Sequence, residues 1–97
     1  MSIYVVATVK VVDPSCLEAY GEIAAPLVAQ YGGEYLARSS NPEVPEGEWP
    51  QDCDTVVMRW PSREVFMSFW NSPDYAVAKE IRKDKIILNN VILEEAE

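Results

Sequence analysis

Two periodicities alternate along the chain, and together they predict four strands and three helices. From residue 3 to residue 12, one face of the alternation is wholly apolar and the other is mostly apolar. This pattern is typical of a strand in the middle of a sheet. Three shorter segments show alternation or a short apolar run next to turn-forming residues. The predicted strands are residues 3–12, 34–39, 55–60 and 89–94.

Each predicted helix begins at a residue whose side chain can accept a hydrogen bond from the first helical turn. These N-caps are Asp13, Ser62 and Ser72, and proline follows the first and the last of them. Gly32 and Gly33 end the first helix, because glycine adopts a positive φ readily. Helical spacing predicts that the core-facing residues are Leu17, Tyr20, Ile23, Ala24, Leu27, Val28 and Tyr31, then Val65, Phe66, Phe69 and Trp70, then Tyr75, Val77, Ala78 and Ile81.

The resulting element order, β-α-β-β-α-α-β, predicts an α+β fold in one domain that spans residues 1–97. Two right-handed β-α-β crossings would interleave into a four-stranded antiparallel sheet with the helices on one face. The first and third strands are expected to be the inner pair. The tail, residues 94–97, is expected to fray.

Helices on one face leave the other face of the sheet open. Tyr4 and Val6, with residues near Val57 and Val91, would then form one exposed apolar patch. Such a patch exceeds the roughly 300–600 Å² that is usual for a monomer. Two copies that pack sheet to sheet with two-fold symmetry would cover it, so the sequence predicts a homodimeric α+β barrel.

Charge and composition exclude several classes of function. Sixteen acidic residues against eight basic ones give a net charge of −8, which disfavours nucleic acid and anionic membrane surfaces as partners. The chain has no histidine, which excludes Ser-His-Asp and Cys-His catalysis and most zinc sites. No metal and no other cofactor is predicted. Because no apolar signal segment follows Met1, we expect a cytoplasmic location, with Cys16 and Cys53 as reduced thiols.

Residues 40–54 break the pattern and predict a long loop that is rich in proline and acidic residues. The spacing of its acids does not match a calcium-binding loop. Trp49 lies in this loop and is costly to leave in water, so it is expected to form an interface or a lid. The candidate dimer contacts are therefore Tyr4, Val6 and Trp49.

Several stretches over nearly the whole chain match, in order, those of a known family. They are Tyr4-Val5-Val6-Ala7, Val12-Asp13-Pro14, Tyr20, Pro26, Gly32-Gly33-Glu34-Tyr35-Leu36-Ala37-Arg38, Glu46-Gly47-Glu48-Trp49, Trp60-Pro61-Ser62, Trp70-Asn71-Ser72-Pro73-Asp74-Tyr75 and Arg82. On these residues the chain resembles the domain of unknown function 1330 family, small bacterial proteins within the dimeric α+β-barrel superfamily. The resemblance implies a ferredoxin-like homodimer and no particular reaction. It departs at Ser39-Ser40, where members tend to have two glycines, and at Arg59, where they tend to have an acid.

Arg38 and Arg59 are the candidate anion-binding residues of the predicted ligand pocket, which also includes Asn71. They lie on neighbouring strands, on the same face of the sheet or on opposite faces. One interpretation is a site for a carboxylate-bearing small molecule, because a guanidinium holds a carboxylate through two hydrogen bonds. The other is salt bridges with Glu34, with Asp54 or with acids of a partner.

Aromatic residues supply the candidate pocket. Tyr20, Tyr35, Trp70 and Tyr75 either line a mostly apolar pocket between helices and sheet or belong to the core. Asn71 either orients a substrate carbonyl or hydrogen-bonds the backbone of its own turn.

These residues support three hypotheses of function. The first is a homodimer that binds a small apolar or aromatic acid between helices and sheet. The second is a cofactor-independent monooxygenase or isomerase, a class found among related barrels, in which a tyrosine or Asn71 positions the substrate and Arg38 offsets negative charge. The third is a structural or regulatory dimer with a filled core and no ligand.

Overall fold

An antiparallel sheet forms the centre of the structure, a computed structural model that describes residues 1–96. Its four strands are β1 Ile3–Val11, β2 Glu34–Ser39, β3 Asp54–Trp60 and β4 Ile86–Glu94. They lie in the order β2-β3-β1-β4, which confirms β1 and β3 as the inner pair. Residue 97, the end of the tail that is predicted to fray, lies outside the described residues.

Three helices connect the strands and cover one face of the sheet. They are α1 Leu17–Gln30, α2 Arg63–Trp70 and α3 Pro73–Arg82. The sequence of elements and the order of strands are those of the predicted ferredoxin-like α+β fold. The two consecutive helices α2 and α3 result from capping, because Ser62 Oγ accepts a hydrogen bond from the Val65 N–H and Ser72 Oγ accepts one from the Tyr75 N–H.

The strand β4 begins at Ile86 and not at residue 89, where the sequence pattern placed its start. Pairing with β1 explains the extra length, since the ladder continues to Val11 opposite Ile86. The Lys85 carbonyl then accepts hydrogen bonds from the N–H groups of Val12 and Asp13. Backbone groups of β1 therefore determine where β4 starts.

Leu17 was wrongly predicted to face the core, because the start of the first helix differs from the prediction. Asp13 caps a short 3-10 turn, Pro14–Cys16, and α1 begins only after it. A 3-10 turn winds more tightly than an α-helix. The buried position consequently falls on Cys16, and Leu17 is exposed.

Val77 was also wrongly predicted to face the core, and 53% of its surface is exposed. The buried residues of α3 are Tyr75 and Ala78. Val77 follows Tyr75 by two positions, about 200° around an α-helix, and therefore points away from the sheet.

Trp60 occupies the middle of the core and is only 1% exposed. Its ring centroid lies 5.1 Å from that of Phe66 and 4.8 Å from that of Phe69, so it joins the end of β3 to both turns of α2. Gly33 leaves room for it: a Cβ at that position would lie 2.8 Å from Trp60 Cζ2 and 2.9 Å from Val28 Cγ1. The second glycine of the pair is therefore required by packing.

We expect the substitution Gly33→Ala to lower the free energy of unfolding by about 1–3 kcal/mol, the usual effect of overpacking a core. Gly21→Ala is the matched control, because it lies inside α1 with no atom within 4 Å of the added Cβ. It should raise the free energy of unfolding by about 0.5–1 kcal/mol, since alanine loses less backbone entropy than glycine. Urea unfolding of both variants at one protein concentration tests this pair. Equal stability of Gly33→Ala and the wild type would contradict the assigned packing.

The opposite face of the sheet is apolar and points away from the helices. Neighbouring strands pair Tyr4 with Leu93 and Val6 with both Val57 and Val91, so these side chains share that face. Val91 is 55% exposed. The predicted apolar patch is therefore present, and Ile87 extends it along β4.

Candidate functional site

A cavity of about 120 Å³ lies between the helices and the covered face of the sheet. Its wall is mainly apolar and aromatic, and every helix and strand contributes to it. Six of its lining residues carry a hydroxyl, guanidinium or amide group. They are Tyr20, Tyr35, Arg38, Tyr75, Arg82 and Asn90.

Tyr20 and Tyr75 place two phenol groups together in the cavity. Their hydroxyl oxygens are 2.9 Å apart, and their rings meet edge to face. Burial, and after it the neighbouring Tyr75, raises the pKa of Tyr20 well above its ordinary value. The Tyr20 phenol therefore stays protonated and can act as a hydrogen-bond donor or acceptor.

Tyr35 brings a third phenol to the cavity from the edge strand β2. Burial is the largest cause that raises the pKa of Tyr35, and the positive charge of Arg38 partly opposes it. The positive charge of Arg38 therefore acts on the Tyr35 phenol, which lines the cavity from a residue that is 56% exposed.

Arg38 reaches the cavity because β2 contains a bulge. Strict alternation from Glu34 would place Arg38 on the open face, but the register shifts between Tyr35 and Ala37. A bulge of one residue re-aims the side chains that follow it. Arg38 consequently stands opposite Val56, which points toward the helices.

Arg38 is already paired at this position. Its Nη2 lies 2.9 Å and its Nε 3.2 Å from Asp54 Oδ2, and its side chain is 61% exposed. This is one of the salt bridges that the sequence predicts as the alternative to an anion site. Arg38 therefore lines the cavity at a solvent-exposed position with its charge offset.

Arg59 lies on the opposite face of the sheet, outside the cavity. It stands opposite Tyr4 in β1 and Glu34 in β2, and its Nη2 lies 2.9 Å from Glu34 Oε2. The two arginines therefore share no ligand within one chain. Members of the resembled family tend to have an acid where Arg59 stands. In this chain Glu34 pairs with the arginine at that position.

Trp70 lines the cavity, whereas its neighbour Asn71 does not. Asn71 is exposed at the end of α2, where its backbone N–H donates to the Met67 carbonyl. Its structural role is therefore that of a helix C-cap. Trp70 also carries cations on its ring, with Lys79 Nζ at 4.3 Å and Arg82 Cζ at 5.9 Å from the centroid.

Arg82 and Asn90 line the cavity and are absent from the predicted pocket. Arg82 follows Tyr75 by seven positions, two helical turns, and this spacing could have placed it on the same face of α3. Asn90 pairs with Ala7 and points toward the helices. Alternation with Val91, which was predicted to lie on the open face, could have placed it there. The Nε of Arg82 is buried and has no hydrogen-bond partner among the described residues.

The sequence model of the family described as "Domain of unknown function (DUF1330)" matches residues 2–96. The chain belongs to this family.

Solved structures similar to this DUF1330 chain share its fold. A protein of unknown function from Rhodopseudomonas palustris is 16% identical with a TM-score of 0.80, over 99% of this chain and 83% of that one. SnoaB from Streptomyces nogalater, a cofactor-independent oxygenase, is 13% identical with a TM-score of 0.65, over 99% and 94% of the two chains. A dimeric ferredoxin-like protein of unknown function from Thermobifida fusca is 19% identical with a TM-score of 0.62, over 98% and 92%.

One curated relative is similar in sequence to this chain over a small part of the relative's length. The DUF1330 chain is 32% identical over 83 residues to mannitol-1-phosphate 5-dehydrogenase from Mycoplasma pneumoniae. The match covers 86% of this chain but only 20% of the dehydrogenase.

The candidate dimer contacts of the DUF1330 chain lie on or beside the open face. Tyr4 and Val6 point out from β1, and Trp49 Nε1 donates to Thr55 Oγ1 at 2.9 Å. Thr55 stands opposite Thr8 on that same face. The loop therefore carries Trp49 to the edge of the apolar patch.

The described part of the chain has neither a cluster of metal ligands nor a helix that could span a membrane. Residues 1–96 contain no group of three or more histidine, cysteine, aspartate or glutamate side chains placed to hold a metal ion. Every helix within them falls short of the length and apolarity that crossing a membrane requires.

Proposed function

We propose that this DUF1330 protein binds a small apolar or aromatic acid in the cavity between its helices and its sheet. The observation that carries the proposal is an apolar, aromatic wall into which three phenols and two guanidinium groups converge. Binding sites for small molecules have this composition, with few polar groups placed on a largely apolar surface. Tyr20, Tyr75 and the Nε of Arg82 bring polar groups to the buried part of this wall, and a core that was merely filled would not need them.

The size of the cavity limits the ligand. An apolar cavity of about 150 Å³ accommodates benzene. The cavity here measures about 120 Å³, so the ligand has about one ring or a short branched chain. A larger acid would leave part of its skeleton outside the cavity, on the side where Arg38 is exposed to water.

The polar groups favour binding over proton abstraction. Tyr20 remains protonated because its pKa is raised, and it therefore makes a poor general base. The charge of Arg38 is offset by Asp54, and Asn71 lies outside the cavity, so neither supports the role that the oxygenase or isomerase hypothesis gives it. The fold shared with SnoaB keeps that activity as the alternative, which predicts oxygen uptake or a rearranged product when an acid is bound.

The substitution Ala24→Leu tests the binding proposal. Ala24 lines the cavity from α1, and a leucine there would occupy most of the space. We expect the affinity for benzoate and for benzyl alcohol, two one-ring probes, to fall about tenfold or more, because the leucine side chain fills the space that each probe would occupy. Titration followed by ¹H–¹⁵N NMR measures both affinities.

Ala25→Leu is the matched control, because Ala25 is the next residue of α1 and is exposed. It should leave both affinities within about twofold of the wild type. Failure of the wild type to bind either probe, or equal binding by Ala24→Leu, would overturn the proposal. Oxygen uptake in the presence of benzoate would instead support the alternative.

We further propose that the protein is a homodimer that associates through the open face of its sheet. The apolar patch on that face supports this, because monomers rarely leave so continuous an apolar surface in water. The dimeric state of the ferredoxin-like protein from Thermobifida fusca supports it as well. We also propose a cytoplasmic location, because free thiols such as those of Cys16 and Cys53 are typical of reducing compartments.

A further inference from the structure

Arg82 is partly buried, and its guanidinium has no acidic partner among the described residues. Its Nε is buried and has no acceptor among residues 1–96, and it forms no salt bridge with any acid within them. Buried polar atoms are nearly always hydrogen-bonded, and an exception calls for a physical explanation. An anion that enters the cavity beside Arg82 would supply the missing acceptor.

The surroundings of Arg82 are positive and aromatic. It ends α3 and lies near the Trp70 ring, over which Lys79 Nζ also sits. Burial and the charge of Arg82 lower the pKa of Lys79, so the two cations repel each other. The carboxylate of a ligand bound in the cavity beside Arg82 would relieve this repulsion.

Arg38, the other guanidinium of the cavity, is a weaker anchor for the same ligand. Its contact with Asp54 already uses its Nε and Nη2, and its side chain is exposed to water. A ligand carboxylate would have to compete with both Asp54 and solvent. A charge-assisted hydrogen bond contributes more at a buried donor than at an exposed one.

The tyrosine pair offers a second donor. When one of the two hydroxyls of Tyr20 and Tyr75 donates to the other, one hydroxyl hydrogen remains free. The cavity thus presents a guanidinium and a phenol O–H to the same ligand. A carboxylate accepts both kinds of hydrogen bond.

We propose that Arg82, and not Arg38, is the specificity-determining residue that binds the carboxylate of the ligand, with the Tyr20–Tyr75 pair as the second donor. This inference rests on the proposed function. It narrows the ligand to a one-ring or short branched carboxylate whose apolar part lies against the sheet.

Benzoate and benzyl alcohol separate this inference from the proposed function, because they have nearly the same size and differ in charge. Wild-type protein should bind benzoate about tenfold or more tightly than benzyl alcohol. Arg82→Gln should remove that preference and leave the affinity for benzyl alcohol within about threefold. The double substitution Arg38→Gln/Asp54→Asn is the comparison variant, because it removes Arg38 together with the carboxylate that Arg38 offsets, and it should keep the preference. Isothermal titration calorimetry at one salt concentration measures all six affinities.

The outcomes distinguish the two proposals. If neither probe binds the wild type, both fail. If both probes bind and the benzoate preference is missing, survives in Arg82→Gln, or is lost in Arg38→Gln/Asp54→Asn instead, only the role of Arg82 is overturned. Equal loss of both probes in a folded Arg82→Gln would also overturn it, because the residue would then support the shape of the cavity. Should Arg82→Gln fail to fold, Arg82→Lys decides by the same ratio, which should fall because lysine cannot form the two-pronged contact.

Discussion

Replacing Trp60 with alanine is expected to lower the free energy of unfolding by about 3–5 kcal/mol, the largest effect on stability of any single substitution proposed for this protein. Trp60 is 1% exposed and contacts the rings of both Phe66 and Phe69. Alanine would leave a cavity between β3 and α2, because the Trp60 ring fills the space beside Phe66 and Phe69. A domain of about this size has only about 5–15 kcal/mol of stability to lose.

Trp60→Phe is the graded control for that substitution. Phenylalanine keeps most of the ring packing and also removes the indole N–H, which is buried without a hydrogen-bond partner among the described residues. We therefore expect a cost of about 1 kcal/mol, well below that of alanine. Chemical unfolding at one fixed protein concentration measures both variants, since dimerisation makes stability depend on concentration. A cost below about 1.5 kcal/mol for Trp60→Ala would show that Trp60 is not the centre of the core.

Replacing Val91 with lysine is expected to weaken the proposed dimer about 100-fold or more. Val91 stands opposite Val6 on the open face, in the edge strand β4, and is 55% exposed in a single chain. An interface through this face would bury the ammonium group of both copies without a partner, because two-fold symmetry places the substitution on each side. Sedimentation velocity over a concentration series measures the shift from dimer to monomer.

Val77→Lys is the matched control for Val91→Lys. Val77 is 53% exposed, nearly the same fraction, but it lies on α3 on the helical side of the molecule. Its substitution should leave the dimer unchanged. A monomeric wild type at micromolar concentration would refute the dimer, and a dimer that survives Val91→Lys would move the interface to another surface.

Local signals in the sequence were sufficient to predict the order of helices and strands. Ser62 and Ser72 each accept a hydrogen bond from the backbone N–H three residues later in the chain. Such capping bonds depend only on neighbouring residues. The two-faced apolarity of β1 was likewise sufficient for its central place in the sheet. Starts and ends were less predictable, since Lys85 pairs with Val12 only after the two segments meet in space.

The aromatic part of the candidate site was also predictable from sequence. Tyr20, Trp70 and Tyr75 lie on the inner faces of helices whose periodicity is clear, and all three line the cavity. The polar part was not. Arg59 was grouped with the pocket because its strand neighbours that of Arg38, although it faces the opposite side.

The sequence by itself determined the elements, their order and the apolar character of both faces of the sheet, because capping and hydrophobic periodicity act over a few residues. Only the tertiary structure decided which charged groups meet the cavity. The bulge between Tyr35 and Ala37 turns Arg38 toward the helices, and a bulge is defined only once β2 pairs with β3. Arg82 is a cavity residue only because α3 lies over the sheet beside Trp70. Side-chain direction after a bulge, and burial of a charge between elements, depend on contacts that are distant in the chain.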